Sequence, residues 1–193
     1  ESPVIQDANG SPAVDPNTGF FINTAKSYWS KVVDGKEVAQ GGALSVLQAD
    51  NANASSGTAR NLYVTLAAGG PTSTTATNNS VTESSLAQVY AYNSSGVTPT
   101  AYGLPSTASA AQEQVVFNWV MNAWGDPLHS EPQLVNYGYT GGNYAAAAAD
   151  PTLQENVVFV SDNDGILHAV DANAGHELFA FSPIVAALYV IKS

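Results

Sequence analysis

The feature that most limits what this chain can fold into lies between residues 156 and 181, where three short apolar runs alternate with two aspartate-rich, glycine-ended turns. Asn156-Val-Val-Phe-Val160 reads as a strand and Ser161-Asp-Asn-Asp-Gly165 as a turn. Ile166-Leu-His-Ala-Val170 is a second strand with alternation, Asp171-Ala-Asn-Ala-Gly175 a second turn, and Glu177-Leu-Phe-Ala-Phe181 a third strand. Gly165 and Gly175 supply the positive φ that tight turns need. Asp171 is placed to accept hydrogen bonds from the backbone of its own turn. Strands this short, joined by turns this tight, fold back on one another as an antiparallel meander, which is how a propeller blade is built. The expected fold class is therefore all-β, part of a β-propeller.

The rest of the chain is read around that meander as a single partial domain over residues 1–193. Residues 1–66 form an N-terminal segment punctuated by Asn9-Gly10 and Asp15-Pro16 turns. It closes on a strand at 60–66, where Leu62, Val64 and Leu66 share one face and Tyr63 and Thr65 the other. A helical turn or two fits 38–49, after Gly41-Gly42. Residues 67–112 read as a loop-rich polar insertion, with Leu86 to Tyr92 its one strand-like run. Residues 113–193 carry a helix and the first clear blade. The helix is expected near 108–123, capped by Thr107 or Ser109, with Val115, Val116, Trp119 and Val120 on one face and Pro127 forbidding continuation. Residues 133–137 read as a strand, and Ala145 to Ala149 as a fragment of helix.

Charge and composition exclude whole classes of function. Sixteen acidic and five basic side chains give a net charge of −11, so no basic stripe is available for a nucleic-acid backbone. The absence of cysteine removes disulfide frameworks, thiolate zinc sites and thiol catalysis. No apolar stretch reaches the length of a membrane-spanning helix. Alanine makes up much of the 45 % hydrophobic share, which leaves a thin core. An acidic, lysine-poor, cysteine-free chain of this kind is expected in a secreted or surface-exposed bacterial protein.

Several stretches carry a family resemblance. The meander N-V-V-F-V-S-D-N-D-G-I-L-H-A-V-D-A-N-A-G-H-E-L-F-A-F resembles the repeat of quinoprotein-like β-propellers. Ahead of it come D-A-N-G-S-P-A-V-D-P-N-T-G-F-F from Asp7, T-A-K-S-Y-W-S, V-D-G-K-E-V-A-Q-G-G-A and R-N-L-Y-V-T-L. Gly125-Asp126-x-Leu128-His129-Ser130-x-Pro132 then follows a helix carrying N-W, and Asn163-Asp164-Gly165-x-Leu167-His168-Ala169 follows that. In this order they resemble the C-terminal propeller domain of the PilC/PilY family of type IV pilus tip proteins. The resemblance implies a type IV pilus biogenesis factor and tip-associated adhesin that supports pilus assembly, surface attachment and twitching motility. It implies secretion to the bacterial cell surface, at the pilus tip or outer membrane. Its implied partners are minor or major pilins and a host or abiotic surface, and its implied metal is calcium. The family's acidic calcium loop has no match in this chain. One blade and parts of another fall short of the four that closure needs. The expectation is thus a fragment, a split subunit or a truncated form, with other chains or chain segments completing the propeller.

Candidate chemistry is sparse. Asp162, Asn163 and Asp164 offer the oxygen ligands that calcium prefers, without the ligand spread of an EF-hand loop. The alternative is a turn whose aspartate caps its own backbone. Asp7-x-Asn9-Gly10 with Asp15 is a similar near miss. Metal ligation by His129 or His168 needs convergence with a carboxylate such as Asp126 or Asp164; a structural ring bonded to a backbone carbonyl is the competing reading. His176, after a turn, is expected in solvent. Ser130 adjoins His129, but neighbours in sequence do not make a triad, and there is no G-x-S-x-G elbow. The chain is expected not to be an enzyme. A periplasmic quinoprotein-like oxidoreductase and a structural subunit of an extracellular assembly are the alternatives. Against the oxidoreductase, Phe179 and Phe181 stand where quinoprotein repeats usually end in Trp.

Overall fold

A computed structural model describes residues 4–35, 37, 41–54, 59–65, 86–89, 99, 104–127, 130–139 and 144–182. Among the described residues there are six strands: β1 (Leu62–Thr65), β2 (Leu86–Val89), β3 (Gln133–Tyr139), β4 (Gln154–Ser161), β5 (Leu167–Asp171) and β6 (Glu177–Ser182). Three α-helices accompany them: α1 (Gly42–Asn53), α2 (Ala110–Asn122) and α3 (Tyr144–Ala149), with a short 3-10 turn at Pro151–Leu153. The strands form one sheet in the order β2-β1-β6-β5-β4-β3. All neighbours run antiparallel except β1 and β6, which are parallel.

The meander expected from the turn chemistry is present and one strand longer, because β3 joins β4, β5 and β6. Gly165 and Gly175 adopt φ of 79° and 77°. The Asp171 carboxylate accepts from the Asn173 backbone N–H at 2.9 Å. The described sheet is open, with β2 at one edge and β3 at the other, and no closed ring of blades occurs among the described residues. The fold is mainly β but carries more helix than the sequence reading held, with α1 reaching 12 residues. Of the expected insertion at 67–112, only 86–89, 99 and 104–112 fall within the described residues.

The core lies between α2 and the β1–β6 half of the sheet. Leu62, Val64, Met121, Ile166 and Ala180 form a buried cluster, flanked by Leu104, Val116, Phe117 and Val120. Each large side chain removed from water there contributes about 1.5–3 kcal/mol relative to exposure. Helix α2 begins with a reciprocal cap: Ser109 Oγ accepts from the Gln112 N–H, and the Ser109 N–H donates to Gln112 Oε1. Its inward stripe differs from the expected one. Val116 and Val120 face the core with Phe117 and Met121, whereas Val115 and Trp119 are 69 % and 44 % exposed. Apolar periodicity finds the helix; the sheet it meets decides which stripe is buried.

The N-terminal segment is fastened to the far end of the sheet. The Trp29 indole N–H donates to the Ala172 carbonyl at 2.9 Å, in the β5–β6 turn. A β-carbon on Gly175 would meet Trp29 Cγ at 2.6 Å, so glycine is needed there for contact as well as for its φ. Trp29 itself holds φ 68°, a left-handed conformation that a bulky residue adopts at a cost of about 1–2 kcal/mol.

Candidate functional site

Residues distant in sequence build one buried polar cluster beneath the core. Arg60 leads into β1, His168 is the second residue of β5, Glu177 opens β6, and Asp162 sits in the β4–β5 turn. Arg60 Nε donates to Glu177 Oε2 at 2.7 Å and an Arg60 terminal nitrogen to Oε1 at 2.9 Å, a bidentate pair. The other terminal nitrogen donates to the carbonyls of Val120 and Ala123, the loose end of α2. That places a cation where a helix leaves carbonyls without intrahelical partners.

His168 stands between two carboxylates. Its Nδ1 is 2.7 Å from Glu177 Oε1 and its Nε2 is 2.9 Å from Asp162 Oδ2. Its ring lies flat on the Trp124 indole, with centroids 3.9 Å apart and planes 6° from parallel. Asp162 also accepts the Gly125 N–H at 2.8 Å and the Ile166 N–H at 2.9 Å. The side chains of Arg60, His168, Asp162 and Glu177 are 0–1 % exposed.

The electrostatics follow from that geometry. Burial pushes the His168 pKa down, but the facing carboxylates of Asp162 and Glu177 outweigh it and hold the ring above its ordinary value. Burial pushes Asp162 up, and its hydrogen bonds from His168, Ile166 and Gly125 more than reverse this. Glu177 behaves alike: burial raises it, while His168 and Arg60 bring it below the usual carboxylate range. An imidazolium donating from both nitrogens satisfies both acids, so two cations offset two anions in a space closed to water. Such a cluster has no face to offer a substrate. What it does is join the start of β1, the end of α2, the Trp124–Gly125 segment, β5 and β6.

The residues singled out from sequence fall as follows. His168 is structural, but its partners are two carboxylates rather than the backbone carbonyl expected. His176 is 54 % exposed and pairs with Asp50 of α1 at 2.6 Å, so it is both solvated and partnered. His129 lies outside the described residues. Of the three candidate calcium ligands, Asp162 is turned inward and accepts three hydrogen bonds, whereas Asn163 is exposed. Asp164 is half-buried, and its pKa is raised by burial and then by the Asp162 charge. No group of three or more His, Cys, Asp or Glu able to hold a metal occurs among the described residues. Asp7 and Asp15 cap their own turns, Asp7 accepting from the backbones of Asn9 and Ser11 and Asp15 from that of Asn17. Ser130 Oγ accepts from the Ser161 N–H at 3.0 Å. No helix among the described residues is long and apolar enough to cross a membrane.

Arg60 and Glu177 were not singled out from sequence. One signal was available: strand alternation sets His168 on the same face as Val170, so a histidine there needs a buried partner.

No protein-family model matches the chain, and no solved structure does. It is 43 % identical over 72 residues to a type IV pilus biogenesis factor PilY1 homolog of Xylella fastidiosa (strain Temecula1 / ATCC 700964). The match covers 32 % of this chain and 6 % of that protein. Over that stretch, the chain is related in sequence to a type IV pilus biogenesis factor and spans a small part of its length.

Proposed function

We propose that this chain is the sheet-bearing part of a type IV pilus biogenesis factor, acting as a non-catalytic scaffold at the bacterial surface. The 43 % identity to the PilY1 homolog carries the reading. The four-stranded antiparallel run from β3 to β6 supports a further step, that the chain contributes one blade to a quinoprotein-like propeller. In this reading the protein is secreted to the pilus tip or outer membrane. It meets pilins on one side and a host or abiotic surface on the other, and supports assembly, attachment and twitching. The sealed ionisable cluster favours scaffolding over catalysis, since its charged groups have no open face.

The test is genetic. A strain lacking the gene is scored for piliation by electron microscopy, for twitching zones and for attachment, then complemented with the gene. Loss of piliation and motility, restored by complementation, is the expected result. Unchanged piliation, twitching and attachment reject the function. Calcium at the Asp162-Asn163-Asp164 turn is tested separately, by calorimetric titration of the purified chain. The inward Asp162 makes weak binding the expected outcome.

A further inference from the structure

A cavity of about 600 Å³ opens between the first turn of α1, residues 42–44, and the segment from Trp124 to Pro127. Its volume lies in the range that holds a small molecule. Both walls are fixed before any ligand arrives. The Gly42 N–H donates to Ser30 Oγ at 2.6 Å, and Ser30 is itself bonded to the buried Asp34 carboxylate. The Gly125 N–H donates to Asp162 Oδ2 at 2.8 Å. Asn51 ties the two sides together, its side-chain amide donating to the Met121 carbonyl and to Asn122 Oδ1, both at 3.0 Å. Two positions in the lining leave bare backbone. A β-carbon on Gly41 would run into the Asp34 carboxylate, and one on Gly125 would meet Asp164 Oδ2 at 2.7 Å. The cavity is lined there by peptide groups, which offer donors and acceptors alike. Trp124 is half-buried with its inner face on the His168 ring, so the surface it shows the cavity is its outer face and edge.

That setting selects its ligand by exclusion. An anion meets Asp126 in the lining, Asp164 behind Gly125 and a chain with a net charge of −11. A cation on the indole sits one ring's thickness from the His168 imidazolium, and like charges that close repel where water screens them poorly. A neutral ring avoids both penalties. Its C–H groups carry the slight positive charge that the negative face of an indole attracts. Hydroxyls around its rim both donate and accept, which matches a carboxylate on one part of the lining and peptide groups on the rest. We propose that this cavity binds a neutral hexopyranose, stacked by its C–H face on Trp124, with its hydroxyls toward Asp126 and the bare backbone at Gly41 and Gly125. The site does not depend on the pilus assignment; binding is read on the purified chain and piliation in the strain, so either can fail without the other.

The experiment is saturation-transfer NMR on the purified 193-residue chain. The probes are D-glucose, D-galactose, D-mannose and N-acetyl-D-glucosamine, with D-glucuronate and choline as the anionic and cationic comparators. Each is titrated to about 50 mM, which reaches affinities weaker than millimolar. At least one neutral sugar is expected to give a saturable signal, strongest on the C–H protons of one ring face, and to bind more tightly than either comparator. Ala43→Phe fills the cavity from the α1 side without touching the Trp124–His168 stack. It weakens binding at least about tenfold and leaves the circular dichroism spectrum and Tm unchanged. Trp124→Phe keeps a ring on His168, narrows the stacking face and weakens binding several-fold. No saturable signal from any of the four sugars overturns the proposal. So does glucuronate or choline binding as tightly as the best of them, or sugar binding that both substitutions leave intact.

Discussion

Replacing Arg60 with methionine tests the reading of the buried cluster most directly. The substitution keeps length and apolar stem and removes the described guanidinium contacts, among them two to Glu177 and one each to the Val120 and Ala123 carbonyls. Glu177 is then held by His168 alone, and His168 already serves Asp162. The side chains are closed to water, so screening does not soften the loss. Removing one member of a buried pair costs about 3–5 kcal/mol, because a charge is left without compensation. At about 2–4 °C per kcal/mol for a chain of this size, Tm falls by roughly 6–20 °C. Urea denaturation followed by tryptophan fluorescence gives the free energy, and Trp124, stacked on His168, reports the cluster locally. Pairing Arg60→Met with Glu177→Leu recovers part of the loss, since both charges leave together, while His168 Nδ1 and the α2 carbonyls still lose their partners. A loss below about 1 kcal/mol for Arg60→Met would place the pair in the range of solvated surface bridges and refute the argument. Strict additivity of the double substitution would refute it equally.

Further predictions follow from the same geometry. His168 is held above its ordinary 6.5, so its stabilisation is complete below that pH and is lost as pH rises through the raised value. Glu177 and Asp162 are held below their ordinary 4.5 and 3.8, so theirs is complete above those values and lost as pH falls through the lowered ones. The urea midpoint is therefore highest between pH 4.5 and 6.5, and His168→Gln removes the alkaline decline; a decline that survives the substitution has another source. Gly175→Ala drives a methyl into the Trp29 ring and strains a φ of 77°, lowering stability by about 1–2 kcal/mol or more and releasing the indole to solvent, seen as a red-shifted emission. Ser109→Ala removes the α2 cap and costs about 1 kcal/mol by urea denaturation, with no change in the folded-state spectrum.

The meander was legible because its information is local. Alternation fixes faces, and Gly165 and Gly175 fix the turns within a few residues of the strands they join. Helix α2 was legible for a similar reason, since Ser109 and Gln112 cap it from adjacent positions. What was not legible is non-local. Parallel pairing of β1 with β6 has no turn to announce it, and its register depends on a long excursion of chain. The cluster was hidden in the same way: Arg60 and Glu177 lie 117 residues apart and show no motif. The Asp162-Asn163-Asp164 turn illustrates a different limit. Its composition suits a cation, but the sequence does not show that Asp162 faces inward to a histidine.

The same 117-residue separation sets a timetable for synthesis. At about 5–20 residues per second on the ribosome, β1 emerges roughly 6–23 s before the strand that will lie beside it. During that interval Arg60 has no acid to meet, Leu62 and Val64 have no β6 to complete their cover, and Trp29 has no Ala172 carbonyl to grip. The newborn N-terminal half must therefore be kept from other strands until the last hairpin forms.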